Sequence, residues 1–497
     1  MKTVAALCAN IDATIIGDPQ TEVTGINYDT RKVQPGDLFA CLSGDKVDSH
    51  TLIPQALAAG ATVLLVEHVE AVPAGVSAIV VADTRAALAL ISAAFYDHPA
   101  DSLTLVGVTG TNGKTTVTSL LQHILLTTGH PAGLIGTLAY RIGDEVIPAP
   151  HTTPQAPELQ QLLARMRDAG LTHAVMEVSS HALCLHRILG CSFRYAALTN
   201  LTQDHLDFHQ TIEAYRDAKA ELFTNPSYRS VDKPMVAVLN ADDPAYDFFA
   251  TNTPGTVVTF GQNISDYQAV QVQHNTTGNS FLLLHPAGET PVITQLLGTF
   301  NVSNSLAALA LAGEIGIPME QAAAALSSAP PVDGRFQRVC HEGGPVVIVD
   351  YAHTPDGLDK VLATAHEISQ GRVTVVFGCG GNRDRGKRPL MAEVAAKWAT
   401  RIIVTSDNPR SEIPTSIIDD IITGFPADKL ARVLVEPDRK TAIQRAINEA
   451  ADNDMVVLAG KGHETYQIFA EETIHFDDRE VAVDALNHRK DGGAAHA

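Results

Sequence analysis

The sequence predicts a multidomain α/β protein built on parallel sheets, and three observations lead there. The chain has 497 residues, and at roughly 100–200 residues per domain that means two to four domains. Short apolar runs alternate with helical patterns, the mark of βα units and a sheet covered by helices. Polar residues gather just after the apolar runs, where open parallel sheets place their ligands.

Residues 1–99 read as a small α/β domain. "LIPQALAAGATVLLVE" (52–67) couples an Ala-rich helical pattern to a buried strand, and "AIVVADTRAALALISAAFY" (78–96) does the reverse. The start, "MKTVAALCANIDATIIGD", is interrupted early by Asn10 and Asp12. It reads as an amphipathic first helix rather than a signal peptide. "YDHPADS" (96–102) carries Pro and charge, and sets the first boundary there.

Residues 100–334 form the second expected domain. Its strands are "LTLVGV", "HAVMEV", "YAALTNL" and "MVAVLN", separated by helical patterns such as "ELQQLLARMRDAG" and "IEAYRDAKAELF". "SSAPPVDGRFQRV" (327–339) reads as a connection, because a Pro pair and a Gly punctuate it. Residues 335–497 repeat the strand–loop–helix pattern as a Rossmann-like third domain, from "PVVIVDYAHTPDGLDKVLATAHEI" to "DMVVLAGKGHETYQ".

Composition narrows the function. Hydrophobic residues make up 45% and charged residues 18%, which excludes general disorder. A net charge of −21 argues against nucleic acid as a partner, which needs basic surface. The six cysteines lack any CxxC pair, so reduced thiols in a cytoplasmic protein are expected. Nothing approaches the roughly 18 apolar residues of a membrane helix, so no membrane insertion is expected. The chain is taken as a monomer.

The stretch "GVTGTNGKTT" lies between a strand and a helical pattern. Ordinary phosphate-loop spacing places four residues between its first Gly and the Gly-Lys pair. Counting back from Gly113 and Lys114 reaches Val108 instead. Gly110, Thr111, Asn112, Gly113 and Thr116 can still turn backbone N–H groups and a helix N-terminus toward a phosphate. Lys114 would meet the terminal phosphates and the Thr115 hydroxyl a Mg²⁺ ion. Spacing alone leaves open which class of nucleotide enzyme this is.

Later strand ends resolve that question. "GTNGKTT", "HTTP", "MEVSSHAL", "TNLTQDHLDFH" and "YRDAKAELF" occur in this order, followed by "FNVSNSLAALA", "GRFQRV", "DYAHTPD" and "GCGGNRDRGKRPLM". Together they make the chain resemble the Mur ligases, ATP-dependent amino-acid-adding enzymes of peptidoglycan synthesis, in which the short loop is the rule. The resemblance runs over essentially the whole chain. It implies three domains: a uridine-binding domain, a central P-loop domain for ATP and Mg²⁺, and a domain for the incoming amino acid. It also implies an acyl phosphate, formed where two anions must be neutralised.

The residue roles that follow are implied by this resemblance. Glu177 would bind the Mg²⁺ shared with Thr115, and His205 a second Mg²⁺. Lys219 would carry a CO₂-derived carbamate, an anionic oxygen ligand of the kind hard Mg²⁺ prefers. Asn304, Arg335 and Asp350 would contact ATP, and closure of the third domain would exclude water. "YDTRKVQPGDLF" (28–39) and "LSGDKVDSH" (42–50) resemble the uridine site of relatives that use UDP-N-acetylmuramoyl-L-Ala-D-Glu, placing Tyr28, Thr30 and Asp45 there. Thr30 stands where Ser is common. Thr152, Thr153, Ser179 and Arg187 would hold pyrophosphate, sugar and peptide, with Leu185 where many relatives carry Gln.

"SDNPRSE" (406–412) matches a motif associated with meso-diaminopimelate rather than L-lysine. Asp407, Asn408, Pro409 and Arg410 belong to it, and Arg410 can pair with a distal carboxylate that lysine lacks. Arg383, Gly460 and Glu464 would complete the pocket, Glu464 meeting the distal ammonium. The alternatives are a ligase adding L-lysine, a folylpolyglutamate-type ligase without the first domain, and a P-loop switch that forms no peptide bond.

Overall fold

A computed structural model describes residues 1–44, 48–229, 234–339, 341 and 343–493. The chain divides into two compact units, residues 1–260 with 310–317 and residues 261–309 with 318–497.

The first unit opens with a five-stranded sheet. Its strands are β1 (Thr14–Ile16), β2 (Gly25–Asn27), β3 (Asp37–Ala40), β4 (Val63–Val66) and β5 (Ser77–Val80), in the order β1-β5-β4-β3-β2. Only β1 runs antiparallel, against β5. Two helices accompany it, α1 (Ile53–Ala58) and α2 (Thr84–Phe95), the second capped by Asp83 accepting from Arg85 and Ala86 N–H. The amphipathic first helix expected from the opening residues is not what forms. Helix covers only Val4–Leu7, and Thr14–Ile16 joins the sheet instead. The β-branched run Thr14, Ile15, Ile16 favours a strand over a longer helix.

The second sheet of this unit holds β6 (Thr104–Thr109), β7 (Ala132–Ile135), β8 (Tyr140–Ile142), β9 (Glu145–Ile147), β10 (His173–Glu177), β11 (Phe193–Leu198), β12 (Val236–Asn240) and β13 (Thr256–Gly261). Their order is β9-β8-β7-β10-β6-β11-β12-β13. The six from β7 to β13 run parallel, while the β8–β9 hairpin forms an antiparallel edge. Strand β6 is buried along nearly its whole length, as a strand covered on both faces must be. The chain leaves β6 toward β7 and β10, then returns to its other side as β11. This reversal makes the carboxyl ends of β6, β10 and β11 the switch point where ligands bind. Helices α3 (Lys114–Thr127), α4 (Ala156–Asp168), α5 (Ser180–Cys184), α6 (Leu206–His209), α7 (Ile212–Thr224) and α8 (Tyr246–Asn252) connect the strands.

The second unit contains an antiparallel meander, β14 (Tyr267–Asn275), β15 (Gly278–His285) and β16 (Gly288–Thr294). Helices α9 (Thr299–Ile315) and α10 (Met319–Ser327) follow. Its main sheet comprises β17 (Gln337–Arg338), β18 (Val346–Asp350), β19 (Val373–Phe377), β20 (Arg401–Val404), β21 (Val433–Val435) and β22 (Met455–Ala459), ordered β17-β18-β22-β19-β20-β21. All but β17 are parallel. Helices α11 (Pro355–Ile368), α12 (Lys387–Trp398), α13 (Pro414–Ile422), α14 (Arg439–Asn448) and α15 (Asp478–Gly493) complete it, with a small hairpin of β23 (Tyr466–Ile468) and β24 (Thr473–His475).

One buried ion pair fixes the strand ends of this sheet. Arg439 donates from Nε and Nη2 to the Asp478 carboxylate at 2.8 and 2.6 Å, and both side chains are fully buried. The same guanidinium reaches the Ala459 and Ser406 carbonyls at 3.1 and 3.4 Å. Removing one partner would leave an uncompensated buried charge. Asp478→Ala is expected to cost about 3–5 kcal/mol in urea unfolding followed on this unit, with Arg439→Met/Asp478→Leu recovering most of it. No helix among the described residues is long and apolar enough to cross a membrane.

Candidate active site

In the first unit the register sets the site. Val108 pairs with Glu177 on one side and Ala197 on the other, so the phosphate loop emerges between Glu177 and Thr199. Gly110 adopts φ +143°, and a Cβ there would meet the Thr199 hydroxyl at 1.9 Å. The loop is held from below by Thr199 Oγ1 and Asn200 Nδ2, both donating to the Asn112 carbonyl at 2.6 and 3.0 Å. Asn200 Oδ1 accepts from Asn112 N–H at 3.0 Å. Thr111 accepts from Tyr215 OH at 3.2 Å and donates to the Thr202 carbonyl at 3.1 Å. Gly113, with φ +87°, starts α3 without a side chain over its leading N–H groups. Those groups can face an anion, as a helix N-terminus does. Thr116 is buried in the first turn.

Two lysines converge on one atom. Lys114 Nζ donates to the Gly110 and Thr111 carbonyls at 2.8 and 2.9 Å, and Lys219 Nζ to the same Gly110 carbonyl at 2.8 Å. Lys219, on α7, is 1% exposed. Burial first, and the Lys114 charge second, hold its pKa well below the ordinary lysine value, with Asp204 pulling the other way.

Glu177 is also 1% exposed. Its carboxylate accepts from Thr115 Oγ1 at 3.1 Å, Thr137 N–H at 2.8 Å and Thr137 Oγ1 at 3.0 Å. Thr137 also bonds Thr152 at 3.0 Å. Thr153 donates to the Glu177 carbonyl at 2.8 Å and accepts from Ser179 N–H at 3.1 Å. Ser179 caps α5 through Ala182 N–H. Arg187 donates to the Thr153 carbonyl at 3.1 Å, and burial lowers its pKa. Leu185, closing α5, is half-buried and offers no polar atom.

His205 precedes α6 with φ +53°, its ring 4.9 Å from that of His181. Burial lowers the pKa of His205, helped by Lys114 and Lys219, and brings His181 to about 4. Both shifts favour the neutral ring near pH 7. Tyr28, after β2, donates to Glu158 at 2.8 Å, and Thr30 is half-buried in the same turn. Asp45 lies outside the described residues.

The second unit carries the remaining candidates. Asn304, on α9, is buried and donates to Asn301 at 2.8 Å. Asp350 ends β18 and accepts from Phe336 and Ala352 N–H at 2.6 and 2.7 Å. Burial pushes its carboxyl up to about 6, against the pull of Arg335. The Arg335 guanidinium lies 4.9 Å from the Tyr351 ring centre.

The ends of β19, β20 and β22 bring a further group together. Asp407 accepts from Asn408 N–H at 2.6 Å and stands against Gly460. Asn408 donates to Glu464 at 2.8 Å and accepts from Ile468 N–H at 3.0 Å. Lys461, fully buried, pairs with Glu464 at 3.0 Å. Pro409 is buried, and Arg410 holds φ +53° while donating to the Gly381 carbonyl at 3.0 Å. Arg383 donates to the Asn382 carbonyl at 3.0 Å. Neither Arg383 nor Arg410 pairs with a carboxylate among the described residues.

The sequence reading passed over Thr137, Tyr215 and Lys461. Thr137 follows the run "AGLI" after one residue, Gly136, and Lys461 sits inside "GKGHE", so strand-end position marks both, though not the partners that they meet. Among the described residues, no three His, Cys, Asp or Glu side chains form a metal-holding group. Thr115 and Glu177 supply a hydroxyl and a carboxylate 3.1 Å apart. That sparse oxygen set fits Mg²⁺, which uses one or two carboxylates and takes other ligands from substrate phosphates and water.

Comparison with known proteins places this geometry. Residues 22–96 match the Mur ligase family catalytic domain, 108–312 the Mur ligase middle domain, and 334–462 the Mur ligase glutamate ligase domain. The chain is 45% identical to UDP-N-acetylmuramoyl-L-alanyl-D-glutamate–2,6-diaminopimelate ligase of Geobacillus kaustophilus, over 95% of this chain and 96% of the relative. It is 47% identical to the Gloeobacter violaceus protein of the same name, over 96% of each. A solved structure of a ligase so named superposes with a TM-score of 0.70 at 34% identity, covering 98% of this chain and 100% of that one. With three domain models in order and relatives matched nearly end to end, the chain belongs to the Mur ligase family.

Proposed function

We propose that this chain is the ATP-dependent ligase that joins meso-diaminopimelate to the D-Glu γ-carboxylate of UDP-N-acetylmuramoyl-L-Ala-D-Glu, a step of peptidoglycan synthesis in the cytoplasm. The observation that carries the choice of amino acid is the pair of guanidiniums, Arg383 and Arg410, without carboxylate partners among the described residues, with Arg410 linked through Asn408 to Glu464. Asn408 touches both sides, donating to Glu464 and lying 3.5 Å from Arg410 through its carbonyl. A zwitterionic far end fits there, its carboxylate on Arg410 and its ammonium on Glu464. Lysine would set an ammonium against Arg410. The relatives reported above are named for joining 2,6-diaminopimelate to UDP-N-acetylmuramoyl-L-alanyl-D-glutamate.

The reaction divides into two displacements. A carboxylate oxygen of the nucleotide substrate attacks the γ-phosphorus of ATP, the bond to the bridging oxygen breaks, and ADP leaves. The diaminopimelate amine then attacks the acyl carbon, phosphate departs, and the nitrogen loses a proton. Lys114 and the N–H groups of residues 111–116 hold the phosphates, while Thr152, Thr153, Ser179 and Arg187 orient the peptide and pyrophosphate. Tyr28 and Thr30 serve the uridine end, with Asp45. Asn304, Arg335 and Asp350 serve ATP. Mg²⁺ would be held by Thr115 and Glu177, and a second ion by His205 and carbamylated Lys219; when bound, they neutralise the charge of the meeting anions. Domain limits of 1–99, 100–334 and 335–497 are proposed for the three functions, in a monomer.

Phosphate release measured with ATP, Mg²⁺ and the UDP-dipeptide tests this reading. Turnover is expected with meso-diaminopimelate and not with L-lysine. Arg410→Ala is expected to raise the KM for meso-diaminopimelate about 100-fold, the worth of a lost bidentate pair at ~2.7 kcal/mol. Equal activity with the two amino acids would refute the role of Arg410.

A further inference from the structure

Four cations crowd the segment "NRDRGKR" (382–388), and the structure treats them differently. Arg385 pairs with Asp420 at 2.8 Å. Arg388, fully buried, makes a bidentate pair with Glu412 at 3.0 Å through each arm, and bonds Asp420 at 2.8 Å. Lys387 donates to the His353 carbonyl at 2.8 Å. Of these four, only Arg383 has no bond outside its own loop among the described residues, and it lies beside Arg410 at Gly380.

The same contacts interlock two loops. Gly381 N–H donates to the Asn408 carbonyl at 2.9 Å, and a Cβ on Gly381 would meet the Pro409 carbonyl at 1.9 Å. Asn382 N–H donates to Glu412 at 2.5 Å, while Ser411 Oγ donates back to Asn382 at 2.8 Å. Arg410, held at φ +53°, sits in this interlock, two residues from Glu412. Glu412 is 22% exposed, and Arg388 and the Asn382 N–H hold both of its carboxylate oxygens.

We propose that Arg388 and Glu412 are a positioning pair for the amino-acid site: Arg388 fixes the loop that aims Arg410 and keeps Glu412 from occupying the guanidiniums meant for the substrate carboxylate. This rests on the reading of Arg410 given above. Two carboxylates are committed to the buried and outer arginines, Arg388 and Arg385. The pocket arginines therefore stay open to an incoming anion. A purely structural clamp would fix the fold without this division of charge.

Steady-state kinetics of the full chain test the proposal, with each substrate varied in turn. Arg388→Gln is expected to raise the KM for meso-diaminopimelate about tenfold, with KM for ATP and the UDP-dipeptide changed less than about twofold. Adding Glu412→Gln removes the competing carboxylate, and the double variant is expected to regain at least about threefold of that loss. Arg388→Lys keeps the charge without the fork and serves if Arg388→Gln does not fold. It should give a rise of about three- to tenfold. A parallel rise in all three KM values, an unchanged KM for the amino acid, or a double variant no better than Arg388→Gln would overturn the proposal. Wild-type turnover separates the two readings. If the wild type does not use meso-diaminopimelate, the assignment of the substrate fails; if it does and the variants are indifferent, only the positioning pair fails.

Discussion

Lys219→Ala is expected to lower kcat by about 10³-fold while leaving nucleotide binding measurable, a loss of the size seen when one preorganised electrostatic group is removed. The amine is sealed inside α7 against the Gly110 carbonyl, beside the charge of Lys114. Among the described residues no carboxylate forms an ion pair with a cation there, and Asp204 offsets its burial only in part, whereas a neutral amine can attack CO₂, lose a proton and become an anionic oxygen ligand. Short carboxylates such as acetate should restore part of the activity by filling the space with an equivalent anion. Phosphate release with and without acetate checks this, and undiminished activity in the variant would sink it. The sign with pH follows from the depressed pKa. The unmodified lysine costs no stability above its unfolded value of about 10.4, and the cost grows as pH falls toward the folded value. Lys219→Met in CO₂-free buffer is therefore expected to resist urea better than wild type at pH 7.

Glu177→Gln is the second large effect, again about 10³-fold in kcat/KM. The amide is isosteric, so the fold should survive, as near-ultraviolet circular dichroism would report. What is lost is the one negative charge that β10 delivers beside Thr115. Gln also turns an NH₂ group toward Thr115 or Thr137, both of which donate to Glu177. Raising Mg²⁺ should recover only a small part of the rate. Full recovery at high Mg²⁺ would show that Glu177 sets affinity alone.

Glu177 was legible as a candidate because it stands at the end of a strand that announces itself, whereas Lys219 lies inside a helix and only the family resemblance singled it out. "LTLVGV" and "HAVMEV" are apolar runs with polar residues directly after them, and parallel sheets put such positions together. Thr137 and Tyr215 were harder to see for a topological reason. Thr137 touches Glu177 across 40 residues, and Tyr215 touches Thr111 across 104; pairing at that range depends on strand order, which periodicity does not carry. The opening helix failed on a local conflict. An apolar stretch supports either element when short, and Thr14–Ile16 found a partner in Ser77–Val80. In the second unit, the "NRDRGKR" cations read alike in one dimension. Only the folded neighbourhood separates Arg388, spent on two carboxylates, from Arg383.

A single peptide oxygen, that of Gly110, is the resting place of both lysine side chains. That oxygen accepts from both at 2.8 Å, one lone pair to each, so a change at one lysine alters the surroundings of the other. On the function proposed above, CO₂ would act on Lys219 and phosphate on Lys114, and gas and nucleotide would then be coupled ligands. By reciprocity, whatever factor the gas applies to nucleotide affinity, the nucleotide applies to retention of the gas.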